Sequence, residues 1–556
     1  MHSKTRAALV ASLSATALLA ACGGGGGGDQ QAGGGATGGG ASGGEITARG
    51  CQPQNPLVGG DTGESCGHDI VELFTSTLFK YDPETGEPHP DLAESVETTD
   101  NQKFTVKIKG DRKFSDGTPV TAKSFVDAWN YTAYSPNGQY LAYFMSPIKG
   151  YADVTSEDPD GEDGPKKAPE PKAKTMSGLK VVDDTTFTIE TSEPVSNLPV
   201  RLGYTAFAPQ PEAFFKDPEA FGKKPIGAGP YQVETYEQGR QAVLVKNPNY
   251  NGEFGGHVDK ITFRIYQDSE AAYNDLLAGN LDVTDEIPSS ALVGKKYQSD
   301  LPDRWAQSPY PAIQTVTFAP DKVSPDYANP KLRQAISMAI NRQKVIDDQF
   351  DGARQPADGW AAPGVEGFKA GACGEFCTYN PEKAKQLLQE AGGFKGGKLT
   401  ISYNADSAHK DWVTATCNSI RGALGVDCVA TPVTDFATFR DQIGAGKMKG
   451  MFRSGWIADY PHIENFLTPV FGKGGASNDN KYDNPEFEKK LTEAGKAQGE
   501  ASLAAYQEAE QLLAADMPAI PMWYYTAQIG WSEKVENVKV NKSSGRPDLL
   551  QVTAKQ

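Results

Sequence analysis

Hydrophobic and polar residues follow two different periods along most of the chain. From Phe104 to Ile108 apolar and polar residues alternate, as in a strand with one buried face. Strand patterns recur in four further segments, at 186–190, 242–245, 260–266 and 398–403. After Pro381 the apolar residues instead form one helical stripe, consisting of Ala384, Leu387, Leu388 and Ala391. Short strands that alternate with helices predict an α/β or α+β body.

The predicted helices carry start and stop signals. Asn can cap a helix by accepting its first N–H groups, and Pro fits the first turn without losing a hydrogen bond. Three such pairs predict helix starts, at Asn329-Pro330, Asn380-Pro381 and Asn484-Pro485. Thr121, which follows a turn at Asp116-Gly117, predicts another start. Gly392-Gly393 predicts the end of the helix that begins at Pro381.

The N-terminal segment has the pattern of a secretory signal. Lys4 and Arg6 precede an apolar stretch, 7–21, that ends in small residues before Cys22. About fifteen apolar residues are too few for a bilayer crossing, which needs about 20. The junction resembles a bacterial lipobox, in which the cysteine is acylated and becomes the new N-terminus. We therefore expect a signal peptide over 1–21, export, and a lipid anchor at Cys22; the alternative is a plain signal with an incidental cysteine, or a wrong N-terminus.

Residues 22–45 are expected to form a linker behind that anchor. The run from 23 to 44 is rich in glycine and holds no large apolar residue, so it can bury nothing and should stay disordered. A coil of this length reaches about 25 Å. Because no later segment has the length and hydrophobicity of a membrane-spanning helix, we expect a soluble body tethered outside the cell membrane.

Composition limits the size and the partners of the folded part. Removal of the signal and linker leaves roughly 510 residues, too many for a single core, so two or three domains are expected. The formal net charge is −17 and the isoelectric point is about 5.0. An acidic surface argues against nucleic acid and anionic lipid surfaces as partners.

The cysteines after Cys22 favour disulfides over a metal site. Their number is even, which in an exported chain is typical of disulfide bonding. Proximity in sequence suggests three pairs, although six cysteines allow fifteen pairings: Cys51–Cys66, Cys373–Cys377 and Cys417–Cys428. Zinc is disfavoured, because no second close cysteine pair follows Cys377 and His409 is the only histidine nearby.

Motifs for catalysis, metals and cofactors are missing from the sequence. The segment 392–398 fits most of a phosphate loop, but Leu399 stands where a magnesium-binding hydroxyl is needed, and the glycines end a helix. The segment 153–174 consists of Pro, Gly, Lys, acidic residues and a few small residues, so it is predicted to be a solvated loop. A calcium loop is disfavoured, because Asp163 occupies its glycine position and the glutamate of position twelve is missing. We expect no enzyme activity, no cofactor and no metal.

Six segments in order, spread over most of the mature chain, resemble the extracytoplasmic solute-binding proteins of ABC importers for oligopeptides, dipeptides and nickel. They are 114–129 (FSDGTPVTAKSFVDAW), 225–231 (PIGAGPY) with 246–250 (KNPNY), 275–282 (DLLAGNLD), 332–342 (LRQAISMAINR), 453–460 (RSGWIADY) and 506–525. Most of these motifs are scaffold in physical terms. Gly227 and Gly229 allow a backbone path that a Cβ would block, and Arg333 and Arg342 suggest a solvated face or a structural ion pair.

The resemblance implies a two-lobed fold of the periplasmic-binding-protein type II, with a hinged cleft that closes on its ligand. Lobe one is expected to combine 46–85, 186–309 and 525–556, with an inserted subdomain at 86–185, and lobe two to span 310–524. The chain is expected to cross between lobes near Tyr310 and at 523–525. The implied function is a monomeric, membrane-tethered receptor that captures short peptides and delivers them to an ABC permease.

The segment from Arg453 to Asp459 holds the main ligand candidates. A peptide carries an ammonium group at one end and a carboxylate at the other, which Asp and Arg can pair with, and an aromatic ring can form a pocket wall. The resemblance implies that Asp459 binds the α-amino group and that Arg453 can meet the carboxylate of a short peptide, with Trp456 beside them. The alternative is that Asp459 and Arg453 pair with each other or cap nearby structure.

Three further features qualify this site. Tyr140 is a weaker ligand candidate, and Glu64 and Ser65 are weaker still. The segment 462–464 (HIE) departs from the family pattern, which usually has Asp-Pro or similar there, and so puts the shape of the adjoining pocket in doubt. The rival cargoes are a nickel chelate, an oligosaccharide or a signalling peptide. The rival of another class is a secreted hydrolase or an envelope structural protein.

Overall fold

A computed structural model describes residues 43–156, 167–405, 407–434 and 436–555. The predicted signal peptide, Cys22 and nearly all of the linker lie outside the described residues, as does the middle of the acidic loop. Among the described helices, none combines the length and the apolar composition that a bilayer crossing requires.

The strands of the described residues are, in chain order, β1 (Glu45–Gly50), β2 (Phe79–Tyr81), β3 (Pro88–Pro90), β4 (Ala93–Thr98), β5 (Lys103–Ile108), β6 (Leu179–Asp183), β7 (Thr186–Glu190), β8 (Tyr231–Glu237), β9 (Gln241–Lys246), β10 (Lys260–Ile265), β11 (Val283–Thr284), β12 (Trp305–Phe318), β13 (Gln355–Pro356), β14 (Leu399–Asn404), β15 (Cys428–Val433), β16 (Met451–Ile457), β17 (Ala519–Trp531), β18 (Val535–Glu536), β19 (Val540–Asn541), β20 (Arg546–Pro547) and β21 (Thr553–Ala554).

The α-helices are α1 (Ser65–Phe74), α2 (Ala122–Ala133), α3 (Tyr151–Val154), α4 (Leu198–Arg201), α5 (Glu212–Lys216), α6 (Pro218–Phe221), α7 (Ser269–Leu277), α8 (Ser289–Leu292), α9 (Lys296–Asp300), α10 (Pro330–Met338), α11 (Arg342–Phe350), α12 (Pro381–Glu390), α13 (Lys410–Leu424), α14 (Phe436–Gly444), α15 (Glu464–Phe471), α16 (Pro485–Lys496) and α17 (Glu500–Asp516).

Local sequence signals predicted these elements well. The five predicted strands are β5, β7, β9, β10 and β14, and β5 buries every second residue. Asn329, Asn380 and Asn484 cap α10, α12 and α16, each accepting a backbone N–H with its side chain. Thr121 opens α2 with a capping box shared with Ser124. The side-chain patterns and caps therefore decide where most of these elements begin.

One sheet joins most of the strands, in the order β15-β14-β16-β12-β17-β11-β1-β10-β9-β8, with β13 also paired to β17. The pairs of β14 with β15 and β16, and of β1 with β10 and β11, are parallel. A separate four-stranded sheet has the order β4-β5-β7-β6. Parallel and antiparallel pairs together give the mixed α/β architecture.

The two longest strands of this sheet connect its halves. β12 and β17, of 14 and 13 residues, pair antiparallel from Trp305 opposite Gly530 to Thr317 opposite Ala519. Their register shifts between Pro309 and Ile313. Beyond that irregularity β12 also pairs with β16, whereas the far end of β17 pairs with β11. The irregularity coincides with the predicted crossing near Tyr310.

The three largest hydrophobic cores of the described residues pack against the two sheets. The large core collects residues between Ile313 and Tyr524, and the N-terminal core packs the early strands and α1 against the end of the chain. The insert core draws on residues from Leu78 to Ala228 and covers the four-stranded sheet. Tyr460, which is 3% exposed, is the one member of the insert core from outside that stretch. The domain limits given above stay a prediction.

The sulfur atoms of the three proposed cysteine pairs lie at bonding distance. The S–S distances are 1.97 Å for Cys51–Cys66, 2.08 Å for Cys373–Cys377 and 2.05 Å for Cys417–Cys428. The third pair links α13 to β15, the next strand along the chain. Of the fifteen possible pairings, the structure therefore selects the one suggested by proximity in sequence.

Two expectations for polar segments need correction. The predicted loop from residue 153 begins inside α3, because Val154 is fully buried in the insert core. Arg342 was expected on a solvated face or in an ion pair, but it is 3% exposed and donates to the backbone oxygens of Pro521, Ser337 and Cys377 at 2.7–3.1 Å. Arg333 is also buried and pairs with Asp321, so the structural ion pair is confirmed there.

Gly227 supplies a direct test of the close packing in the Gly-Ala-Gly motif. A Cβ on Gly227 would lie 1.9 Å from the backbone oxygen of Phe74, which cannot move aside without distorting α1. We expect Gly227→Ala to lower the free energy of unfolding by more than about 2 kcal/mol, measured by urea unfolding. The matched control is Gly422→Ala in α13, where no atom lies within 4 Å.

Gly422→Ala should raise stability by about 0.5–1 kcal/mol, because alanine is the better helix former. Equal stabilities of the two variants would contradict the packing seen at Gly227.

Candidate functional site

Strand β16 and the turn after it carry Arg453, Trp456 and Asp459. β16 pairs antiparallel with β12 on one side and parallel with β14 on the other. Gly455 allows the close pairing with β12, since a Cβ there would lie 2.7 Å from the backbone oxygen of Ile313. The predicted site therefore begins next to the strand that crosses between the two halves of the sheet.

Asn465, at the start of α15, fixes two of the three predicted residues. Its Oδ1 accepts hydrogen bonds from the indole N–H of Trp456 at 2.9 Å and from the backbone N–H of Asp459 at 2.8 Å. Its Nδ2 donates to Asp459 Oδ2 at 2.9 Å. Asn465 is 1% exposed. Asn465 lies five residues after the end of the motif 453–460, and the fold brings its amide to both residues.

Asp459 is partly buried, and its carboxylate faces tyrosines of the insert core. Burial raises the pKa of Asp459 to about 6, against hydrogen bonds from Asn465, Tyr204 and Tyr143 that lower it. Among the described residues no cation lies within 4.0 Å of this carboxylate. Neutral donors therefore hold Asp459, which leaves its charge uncompensated inside the protein.

Arg453 is held flat between two rings. Its Nε donates to Asn404 Oδ1 at 2.7 Å, and the centre of its guanidinium lies 5.1 Å and 5.2 Å from the ring centroids of Phe436 and Phe439. Cation–π contacts of this kind stabilise a guanidinium. Asp459 and Arg453 do not form an ion pair with each other, but each is hydrogen-bonded to an asparagine of the surrounding structure.

His409 is a site residue that the sequence analysis considered only as a metal ligand. Its Nδ1 accepts the indole N–H of Trp412 at 3.1 Å, so the proton of the neutral ring lies on Nε2. Burial, then Arg453 and Arg354, hold the pKa of His409 well below its usual value. His409 is therefore a neutral donor in the field of two arginines. No sequence pattern marks it, because its environment is assembled from distant segments.

Tyr140 and Glu64 have different surroundings. Tyr140 is 54% exposed, and its backbone N–H donates to Asp61 Oδ1 at 3.0 Å. Burial of the hydroxyl raises its pKa, with further effects of Arg440 and Asp459, so Tyr140 faces the same region as Asp459. Glu64 instead caps α1 by accepting the backbone N–H of Gly67 at 3.0 Å.

The segment that departs from the family pattern forms a buried polar network behind Asp459. Glu464, 1% exposed, accepts hydrogen bonds from Tyr460 and from Asn197 and pairs with Arg201 at 3.0 Å. Burial pushes the pKa of Glu464 upward, but Arg201 leaves it below its usual value. Arg201 ends α4 beside the insert core. The segment 462–464 is therefore joined to the insert core through the ion pair of Glu464 with Arg201.

The arrangement can bind a dipolar molecule. The Asp459 carboxylate, which has no cation within 4.0 Å among the described residues, suits a positive group of a ligand. Arg453, between the rings of Phe436 and Phe439, and the neutral His409 carry N–H donors that suit a negative group. In the part of the chain that the structure describes, no group of three or more His, Cys, Asp or Glu residues could hold a metal ion.

Comparisons with known proteins agree with this geometry. A model of the family described as bacterial extracellular solute-binding proteins, family 5 (middle), matches residues 87–478. The chain is similar to the periplasmic oligopeptide-binding protein OppA of Escherichia coli K12, with 28% identity over 454 residues that cover 79% of this chain and 80% of that protein.

Solved structures resemble the fold over nearly the whole chain. The murein tripeptide binding protein MppA of Escherichia coli has a TM-score of 0.78 at 23% identity and covers 92% of this chain and 98% of its own. Haemophilus influenzae OppA in complex with RPPGFSPFR has a TM-score of 0.77 at 23% identity, with the same coverage. The predicted fold class, an α/β two-lobed periplasmic-binding-protein type II fold, is confirmed.

The burial of Asp459 predicts a pH dependence. The folded state binds this proton more tightly than the unfolded state, so the ionised carboxylate destabilises the fold at neutral pH by about 3 kcal/mol. This cost disappears as the pH falls from about 6 towards 3.8. We expect Asp459→Asn to raise the melting temperature of the ligand-free protein at pH 7.5 but much less at pH 4. A difference between variant and wild type that is the same at both pH values would contradict this.

Proposed function

The chain belongs to family 5 of the bacterial extracellular solute-binding proteins, and from this premise we propose that it captures short peptides in a cleft between two lobes and delivers them to an ABC permease. The observation that carries the peptide proposal is the partly buried carboxylate of Asp459, which has no cation within 4.0 Å among the described residues. A carboxylate left unpaired inside a protein is costly, and the ammonium group of a ligand would remove that cost.

The second support is the position of donors for the other end of a peptide. Arg453 lies between two phenyl rings, and the neutral His409 carries its proton on Nε2. Charge-assisted bonds from such groups suit a carboxylate. We propose that Asp459 binds the peptide ammonium group, that Arg453 meets the carboxylate of a short peptide, and that Trp456 and Tyr140 line the cleft.

The names of the relatives point to the same cargo class. OppA of Escherichia coli is named for oligopeptide binding, and the Haemophilus influenzae structure holds a peptide. A peptide in the cleft would use backbone hydrogen bonds for affinity, and wet pockets would give it low side-chain selectivity.

The shared strands support a hinge-bending receptor. We propose lobe one at 46–85, 186–309 and 525–556 with the inserted subdomain at 86–185, and lobe two at 310–524. The register shift between Pro309 and Ile313 lies at the first of the proposed crossings. Closure about the β12–β17 pair would bring Asp459 towards Tyr143 and Tyr204. Hydrogen bonds from both tyrosines act on the pKa of Asp459.

The cellular setting completes the proposal. We propose that Cys22 carries the lipid anchor, that the protein acts as a monomer outside the cell membrane, and that it has no catalytic activity. The family membership supports an extracellular solute receptor, and a flexible tether would keep such a receptor near its permease.

Peptides that differ only at the amino terminus test the role of Asp459. We expect Asp459→Ala to weaken the binding of trialanine by about 100-fold, because a charge-assisted bond to the ammonium group is lost. The affinity for N-acetyl-trialanine, measured by calorimetry, should change less than about threefold. The matched control is Glu382→Ala, an acidic side chain that is 84% exposed on α12.

Glu382→Ala should bind both peptides like the wild type. Equal losses for the two peptides in Asp459→Ala would contradict the ammonium assignment. Absence of any peptide binding by the wild-type protein would contradict the peptide receptor itself.

A further inference from the structure

A row of polar contacts joins the segment 193–201 to the proposed lobe two. The segment follows β7 and ends with α4, so it belongs to the proposed lobe one. Its partners are the segment 462–464, the end of α16 and the start of α17. The residues that make these contacts are not among the ligand candidates. The two proposed lobes are therefore joined at a second place, by side chains other than those assigned to the ligand.

The centre of this row is the ion pair of Arg201 with Glu464. Arg201 Nη2 lies 3.0 Å from Glu464 Oε2, and the two side chains are 12% and 2% exposed. Asn197 bridges the pair, because its Oδ1 accepts a hydrogen bond from Arg201 Nε at 3.1 Å and its Nδ2 donates to Glu464 Oε2 at 3.2 Å. Separation of the two segments would return both charges to water.

His462 takes part in the same cluster as a neutral ring. Its Nδ1 accepts the backbone N–H of Glu464 at 3.1 Å and lies 3.4 Å from Asn197 Nδ2, so its own proton lies on Nε2. The ring packs edge-on against Tyr506 of α17, with 5.4 Å between the centroids. His462 and Glu464 are the two polar residues of the segment that departs from the family pattern. The departure therefore supplies the side chains of this contact.

Weaker contacts continue the row towards solvent. Lys496 Nζ lies 3.1 Å from Glu193 Oε2, with side chains that are 49% and 65% exposed. The backbone N–H of Ser196 donates to the Gly495 oxygen at 3.4 Å, and the hydroxyls of Ser196 and Ser502 are 3.4 Å apart. Long hydrogen bonds and exposed ion pairs add little stability. Polar surfaces of this kind suit domains that separate and meet again.

We propose that these contacts form a clasp between the lobes, centred on Arg201 and Glu464, which closes together with the cleft and slows the release of the bound peptide. The inference rests on the proposed function, because it describes lobes that move and a peptide that leaves. Arg201 and Glu464 are positioning residues in this scheme, since they fix the closed orientation without contact to the ligand.

A cross-link between the exposed ends of the clasp tests whether the contact opens. Glu193→Cys and Lys496→Cys, combined in the full-length protein, place two thiols at the exposed ion pair. The protein is loaded with radiolabelled trialanine and linked with a short bismaleimide, and release is followed after excess unlabelled peptide is added. We expect the linked protein to release peptide about 10-fold more slowly, or slower still, than the same variant without the linker, because the lobes can no longer part.

The matched control links two residues of one short helix. Glu212→Cys and Lys216→Cys lie four residues apart on α5, where the native side chains are 87% and 70% exposed. Linking them should leave the release rate unchanged. A linkage that involves Cys22 would affect both variants alike, so a difference between them reports on the clasp.

Two charge variants test the centre of the clasp. Glu464→Gln or Arg201→Met leaves the other charge buried without its partner in the closed state only. We expect each variant to weaken trialanine binding by about 30-fold, mainly through faster dissociation. The double variant should lose less than the two single losses combined, because no unpaired charge remains.

The sign of the Arg201 effect separates the clasp from a simple charge effect. Glu464 acts electrostatically on Asp459. If only that field mattered, loss of Glu464 would weaken the binding of a peptide ammonium group and loss of Arg201 would strengthen it. The clasp predicts that both variants weaken binding, so stronger binding by Arg201→Met would overturn the inference.

The outcomes also separate the clasp from the peptide receptor. Release from the linked Glu193→Cys, Lys496→Cys protein at the unlinked rate would mean that the two segments move as one body; the clasp then fails while the peptide receptor stands. If the wild type binds no peptide, the receptor fails, and spin labels on the same two cysteines decide the clasp. Separate open and closed distances in the ligand-free protein would support it, and a single narrow distance would overturn it.

Discussion

The antiparallel pair formed by β12 and β17 is the constraint on which the rest of the structure depends. These strands lie side by side in the middle of the large sheet, with β16, β14 and β15 on one side and β11, β1, β10, β9 and β8 on the other. β16 pairs with β12 and delivers Arg453 and Asp459, while β13 pairs with β17 and follows Arg354 directly. In the proposed hinge closure, a change in the relative orientation of the two halves would act on these two strands, beside the site residues.

Charged side chains that are shielded from water fall into two groups, those that the chain pairs with an opposite charge and those that it does not. Glu464 with Arg201, and Arg546 with Asp285, are buried pairs whose partners the chain itself supplies. Such pairs roughly offset the cost of removing them from water. Asp459 and Arg354 are partly buried, and among the described residues neither has an opposite charge within 4.0 Å. Because uncompensated burial of a charge costs several kcal/mol, these two positions are the ones at which a dipolar ligand would stabilise the protein most.

Much of the fold could be predicted from sequence because its signals are local. The Asn-Pro caps at 329, 380 and 484 and the alternation in β5 each depend on neighbouring residues. The site was predicted only as far as one continuous motif carries it. His409 and Arg354 owe part of their environment to segments far away in sequence. Asn465 lies only six residues after Asp459, and the turn between them decides its contacts. Arg342 was misjudged because its oxygen partners belong to α10, β17 and a cysteine loop. The domain limits and the ligand contacts are still predictions.

The claim that this protein is a receptor for peptides is tested most directly by native mass spectrometry of the purified protein, freed of ligand by unfolding and refolding. The protein is then offered an equimolar mixture of short peptides, oligosaccharides and a nickel chelate. The account predicts a single added mass that fragments as a peptide with a free amino terminus. An added mass that belongs to another solute in the mixture, or no added mass at all, would contradict it.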